Sequence, residues 1–183
     1  MSLCKFEKPD IEESRELEQY FFTEQTARDL ASLAVGRTAC ICTPTVWMNL
    51  FEELQKLSVV FDIDPRLTNV IPNGHFVKYD LSRGIHSSSR TAKDIASQFM
   101  YAFDTIIIDP PFSTPIEIVA ATINAFLSWE LNGNCGGYIV YPKNGIGVLE
   151  NHLNKHGICG QEYSGITIAY QNPHIDTQNK EGK

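Results

Sequence analysis

Apolar positions along the chain keep two rhythms. From residue 23, Ala27, Leu30, Ala31 and Ala34 recur three and four apart, which predicts one buried helix face. Thr23 stands where a cap belongs, and Gly36 where a helix closes. The apolar run 38–42 predicts a buried strand. Val46, Leu50, Leu54 and Leu57 predict a second helix entered through Thr43-Pro44-Thr45. Residues 58–61 read as another strand, stopped at Asp62-Ile63-Asp64-Pro65 because proline pushes its predecessor out of regular pairing geometry. A third strand, 75–79, ends at Asp80, and Ile95, Ala96, Phe99 and Met100 mark a short helix beyond it. Thr105-Ile106-Ile107-Ile108 is β-branched throughout and does not alternate, as expected of a central parallel strand covered on both faces. Thr114, Pro115 and Glu117 have the spacing of a capping box ahead of Ile116, Val119, Ala120, Ile123 and Leu127, with Asn132-Gly133 as the stop. A fifth strand at 138–141 and a helix at 146–155 follow. Runs 158–163 and 166–170 predict a closing antiparallel pair around Ser164-Gly165.

Strands alternating with helices describe an α/β doubly wound sheet. The expected organisation is an N-terminal arm at 1–15, one domain at 16–171 and a flexible tail at 172–183. A chain of 183 residues, 43% hydrophobic and 20% charged, has room for about one domain and excludes wholesale disorder. No apolar run approaches the roughly 18 residues of a membrane span, and no secretory pattern opens the chain, so an intracellular protein, cytoplasmic or nuclear, is expected. With 22 acids against 15 bases the net charge is −7, which argues against nucleic-acid binding by charge alone. Lys78, Arg83, Arg90 and Lys93 nonetheless form a locally basic loop. Five cysteines lack framework spacing and read as reduced thiols. His152, His156 and Cys159 lack an evident fourth ligand, so no metal is expected.

The acids and prolines gather where the strands end: Thr43-Pro44, Asp62, Asp80, and Asp109-Pro110-Pro111-Phe112. Ligands of open α/β sheets bind at those carboxyl ends. Prolines have no N–H, so Asp109-Pro110-Pro111-Phe112 presents carboxylate and carbonyl acceptors on a stiff turn, with an aromatic face next to them. Such a turn suits a planar amine: two N–H bonds are held by carboxylate and carbonyl while the ring system stacks on Phe112, and the nitrogen lone pair is left to attack.

The tetrad resembles the catalytic motif of amino-methyltransferases, Asp/Asn-Pro-Pro-aromatic. Tyr20-Phe21-Phe22-Thr23 resembles the aromatic-threonine segment that lies against S-adenosylmethionine in those enzymes. The order Tyr-Phe-Phe-Thr, Cys-Thr-Pro-Thr, Asp-Ile-Asp-Pro-Arg, Tyr-Asp, Asp-Pro-Pro-Phe over residues 20–112 is similar to the eukaryotic "probable N6-adenine methyltransferase" family, which includes elongation-factor lysine methyltransferases and ribosomal-RNA adenine methyltransferases. The resemblance implies a Rossmann-like class I methyltransferase with a mostly parallel seven-stranded sheet, helices on both faces and an antiparallel last strand. It implies S-adenosylmethionine as cofactor and Asp109, Pro110, Pro111 and Phe112 as the amine-binding group. Tyr20, Phe22, Thr23, Thr43, Thr45, Asp62 and Asp80 would then surround the cofactor, Asp62 or its neighbour Asp64 on the ribose and Asp80 on the adenine.

Two departures bear on the outcome. Cys42-Thr43-Pro44-Thr45 replaces a glycine-rich loop, and Gly165-Ile166-Thr167-Ile168-Ala169-Tyr170 replaces the Asn-Glu-Phe-Arg-Cys-Tyr ending of the elongation-factor enzymes. Trp129 and Tyr141-Pro142 lean towards the RNA-modifying branch. Adenine N6 of RNA or DNA is accordingly the expected acceptor, with a lysine of a basic protein as the alternative. A partner protein would aid substrate binding. A non-catalytic scaffold is the reading from another class.

Overall fold

In the computed structural model, residues 9–83, 103–128 and 135–175 are described. The expected helix around 95–100, the Asn132-Gly133 stop, Trp129 and the basic loop from residue 84 on lie outside them. Among the described residues the sheet is five-stranded and wholly parallel: β1 (Thr38–Ile41), β2 (Val59–Asp62), β3 (Phe76–Lys78), β4 (Thr105–Ile108) and β5 (Gly136–Ile139), in the order β3-β2-β1-β4-β5. The helices are α1 (Glu24–Ser32), α2 (Pro44–Met48), α3 (Glu52–Gln55), α4 (Ile116–Ser128) and α5 (Ile146–Asn154).

The three inner strands are buried along their whole length, and their side chains part to opposite faces. Cys40, Val60 and Ile107 pack with Ala27, Leu30 and Ala31 of α1 and Val46 and Trp47 of α2. On the other face, Ile41, Phe61, Ile106 and Ile108 meet Val119, Ala120, Ile123 and Phe126 of α4 and Leu149 and Leu153 of α5. Phe61 anchors that side edge-on to Tyr79, Phe103 and Phe126. The sheet is thus covered by helices on both faces, which is why no alternation is legible in its central strands.

Several sequence expectations change in the fold. The single helix expected from residue 44 to 57 is two short ones. The Asn49 amide donates to the Thr45 carbonyl at 2.7 Å and the Gln55 amide to the Trp47 carbonyl at 3.2 Å, so side chains take the carbonyls a continuing helix would use. The capping box at Thr114 does not close: α4 starts at Ile116, the buried Thr114 hydroxyl has no partner, and Glu117 faces His152 at 3.8 Å instead. The closing antiparallel pair is also not formed, so the seven-stranded sheet with an antiparallel end is not what the described residues make. Residues 158–169 hold no strand, and Tyr170 makes an isolated antiparallel bridge with Phe22. The reason lies in competition for partners. Thr23 N–H donates to the Ala169 carbonyl and Gln171 N–H to the Phe21 carbonyl, so this segment spends its backbone groups on the chain entering α1. Ile175, expected in the tail, is buried in the α1-side core.

Gly36 turns the chain from α1 into β1 at φ +63°, and an added Cβ would lie 2.3 Å from an Asp104 carboxylate oxygen. That carboxylate accepts from Arg37 N–H at 2.8 Å, so it cannot move away without cost. Gly36→Ala is expected to destabilise by about 2 kcal/mol, from the left-handed backbone together with the clash, as read by denaturant melts.

Candidate functional site

The ends of three neighbouring strands open into one cleft. From β1 comes Cys42, from β2 Asp62 and Ile63, and from β4 the tetrad Asp109 to Phe112; Leu17, Glu18, Gln19 and Tyr20 wall it from the N-terminal side, and Tyr170 from the C-terminal side. Sheet order reverses between β1 and its two neighbours, the switch point where such folds hold ligands. About 390 Å³ of space lies within the cleft, its open mouth included.

Asp109 leaves β4 with its N–H on the Ile41 carbonyl at 3.2 Å. Its two carboxylate oxygens each accept from the Tyr170 hydroxyl at 2.9 Å. Burial pushes its carboxyl up to about 7, and the Tyr170 hydrogen bond pulls against that rise. Pro110 is buried, and the Pro111 carbonyl accepts from Thr114 N–H at 2.9 Å. Phe112 is 42% exposed, so it serves the rim of the cleft rather than the core. Its ring centroid lies 6.5 Å from Tyr20 and 6.3 Å from Tyr170.

The two candidate acids at the end of β2 divide their work. Asp64 is fully buried, caps the following turn at Arg66 N–H and is gripped by the Arg66 guanidinium at 2.7 Å. Burial alone would raise it, but the Arg66 hydrogen bonds outweigh that and hold it below the usual carboxylate range. Asp62 faces the cleft. Its Oδ1 accepts from Asp64 N–H at 2.9 Å, and the Gln19 amide, with its nitrogen turned inward, donates to Oδ1 at 3.0 Å and Oδ2 at 3.2 Å. Desolvation nonetheless lifts Asp62 to about 7.

The other expected cofactor residues are bonded within the fold or buried. Asp80 accepts from Ser82 N–H at 3.1 Å and from its hydroxyl at 2.6 Å, which caps the turn after β3, and it is not among the residues lining the cleft. Thr43 and Thr45 are buried, and the Thr43 hydroxyl donates to the Ile107 carbonyl at 3.3 Å. Thr23 caps α1, and Phe22 is core, with its ring 5.1 Å from that of Tyr170. Of the seven expected cofactor residues, Tyr20 and Asp62 line the cleft. Tyr141 is half-buried on the α5 side of the sheet and outside the cleft lining. His152, His156 and Cys159 do not converge, and no metal-ligating cluster exists among the described residues.

Three cleft residues carry little sequence signal. Glu18 adopts φ +47° at the tip of a turn that Ser14 and Gln19 close, and its carboxylate accepts from Ser113 N–H at 3.1 Å, which ties this wall to the tetrad. Gln19 is the buttress of Asp62. Cys42 adopts φ +55°, a conformation glycine takes without strain, so the left-handed turn after β1 persists without a glycine-rich loop. Its thiol is pushed well above the ordinary range by burial and then by the negative charges of Asp62, Asp109 and Asp80. Among the described residues the cleft-lining charges are Glu18, Asp62 and Asp109, all acidic, and no lysine or arginine lines it.

The model of the family described as "Probable N6-adenine methyltransferase" matches residues 13–158. Curated proteins named "EEF1A lysine methyltransferase 1" are similar: that of Mus musculus is 29% identical over 108 residues, covering 56% of this chain and 47% of its own length. Those of Homo sapiens and Bos taurus are 30% and 33% identical over 110 residues, covering 56% of this chain and 47% and 45% of theirs. The similarity therefore spans about half the length of these relatives.

Proposed function

This chain belongs to the probable N6-adenine methyltransferase family, and from that premise we propose that it transfers methyl groups from S-adenosylmethionine to a protein lysine. The observation that carries this reading is the charge of the cleft. Among the described residues three acids and no base line it, which suits a cationic ammonium better than the phosphates that accompany any adenine in nucleic acid. The names of the curated relatives favour the same acceptor over the N6-adenine expected from Trp129 and Tyr141-Pro142, and they make elongation factor 1A the first substrate to try.

The cleft residues also suit the cofactor. Asp62 offers paired acceptors for vicinal hydroxyls, Ile63 and Tyr20 offer apolar and aromatic surface, and among the described residues no cation lines the site to repel a sulfonium. When bound, S-adenosylmethionine supplies an electrophilic methyl group on positively charged sulfur. Thr43 and Asp80 each make hydrogen bonds within the fold, Thr43 to the Ile107 carbonyl and Asp80 to Ser82.

On the acceptor side, a lysine ammonium must lose a proton before its lone pair is free. Asp109 is the base for that step: a carboxyl held near 7 takes a proton more readily than an ordinary aspartate. The Pro111 carbonyl is engaged by Thr114, which leaves the Pro110 carbonyl as the second acceptor for the amine. Phe112 and Tyr20, at the rim, flank the aliphatic stem, and this apolar wall favours the neutral amine. The chain contributes mainly alignment and a fixed polar environment.

Incubation with methyl-labelled cofactor, supplied with elongation factor 1A and with fractionated protein, RNA and DNA from the source cell, tests the reading. Label recovered as methyl-lysine is the expected result. Label confined to RNA or DNA would overturn the acceptor, and no calorimetric binding at millimolar cofactor would leave a scaffold.

A further inference from the structure

Tyr170 lies beyond the stretch matched by the family, which ends at residue 158, yet it is the side chain that reaches Asp109. We propose that Tyr170 is the positioning residue of the amine site: its hydroxyl fixes the plane of the Asp109 carboxylate for the incoming amine. This rests on the reading of Asp109 as the amine-binding acid.

The geometry supports it at each step. Two prolines stiffen the backbone after Asp109 but leave its side-chain torsions free to rotate. One hydroxyl, 2.9 Å from both oxygens, removes that freedom. A carboxylate has about four lone-pair sites, so acceptor capacity remains on the cleft side. The hydroxyl is itself well held. Tyr170 is 4% exposed, its ring packs on Phe22 and stands edge-on to Phe112, and its neighbours Ala169 and Gln171 are bonded to Thr23, Thr26 and Phe21. The segment carrying Tyr20 into the cleft therefore also sets the donor on Asp109. Among the described residues, the titratable groups lining the cleft around Asp109 are Cys42 after β1, Asp62 on β2, Glu18 and Tyr20 from the N-terminal wall, and Tyr170. None is a cation, and among the described residues Tyr170 is the side chain that offsets burial of the carboxylate.

Tyr170→Phe keeps the ring contacts and removes the donor. Losing one hydrogen bond to a charged group is expected to raise the acid limb of the kcat/KM profile by about one pH unit, a roughly fivefold loss at pH 7 that approaches tenfold at lower pH and recovers towards pH 9. The Asp109 carboxyl carbon, assigned by Asp109→Asn and followed by NMR, should titrate higher by the same interval. Incorporating 3-fluorotyrosine at 170 keeps the shape, strengthens the donor and should move both readouts the opposite way, which also covers the case of a Tyr170→Phe protein that does not fold. An unmoved acid limb together with an unmoved carboxyl titration overturns the proposal, as does a loss equal at every pH. If the wild type methylates no protein while the carboxyl titration shifts as expected, the positioning role stands and the lysine reading falls.

Discussion

Asp109→Asn is expected to lower kcat about 10²- to 10⁴-fold, the usual range for removing a positioned proton acceptor, while leaving cofactor affinity nearly unchanged. Asparagine keeps the shape of the side chain and one oxygen for the Tyr170 hydroxyl, so the turn after β4 should hold. What disappears is the capacity to take a proton and one acceptor for the amine. Because burial lifts the Asp109 carboxyl to about 7, the wild-type rate should rise through neutral pH as the carboxylate forms, and the variant should lack that limb. Steady-state kinetics on a methylated protein, paired with calorimetry of the cofactor, measure both halves. Wild-type turnover in the variant would remove Asp109 from the chemistry.

Stability is expected to fall as the pH rises from about 4 to about 7. Asp62 and Asp109 are both pushed up to about 7 in the folded chain and titrate near the ordinary aspartate value once unfolded. Between those pH values the folded chain binds more protons than the unfolded one, so each pH step upward favours unfolding; above the folded values the loss is complete. A full shift of one buried acid corresponds to about 4 kcal/mol, and water in the cleft screens the half-buried Asp109, so a combined loss on the order of 3–5 kcal/mol is expected. Asp64 works in the other direction: its folded value is depressed, and what it contributes is lost only as the pH drops through the acid range. Chemical denaturation at pH 4.5, 6 and 8 measures the slope. Asp62→Asn and Asp109→Asn should each flatten it, and an unchanged slope in the double variant would show that neither acid is the source.

The same two acids show how far the chain could be read by itself. Central strands such as Thr105-Ile106-Ile107-Ile108 are legible because a strand covered on both faces must be apolar at every position, and the acids that end them stand out against that background. Asp109-Pro110-Pro111-Phe112 is legible for a second reason: adjacent prolines restrict the backbone locally, whatever surrounds them. Helix continuity was less legible. Val46, Leu50, Leu54 and Leu57 keep helical spacing across the break at 49–51, but Leu57 is 50% exposed, and the break is made by amide side chains whose choice of carbonyl no periodicity encodes.

The sequence by itself determined the alternation of strands and helices, the edge of the sheet on which acids collect, and the chemistry of an acceptor-rich turn beside an aromatic ring. Only the tertiary structure decided that Asp62 faces the cleft while Asp64 is consumed by Arg66, that Gln19 and Glu18 roof the site, and that residues 169–171 bond to the entry of α1 instead of to a sixth strand. Local torsional preferences act between near neighbours and leave their mark in residue order. The role of a carboxylate depends on which donors arrive from elsewhere, and the donor on Asp109 arrives from Tyr170, 61 residues along the chain.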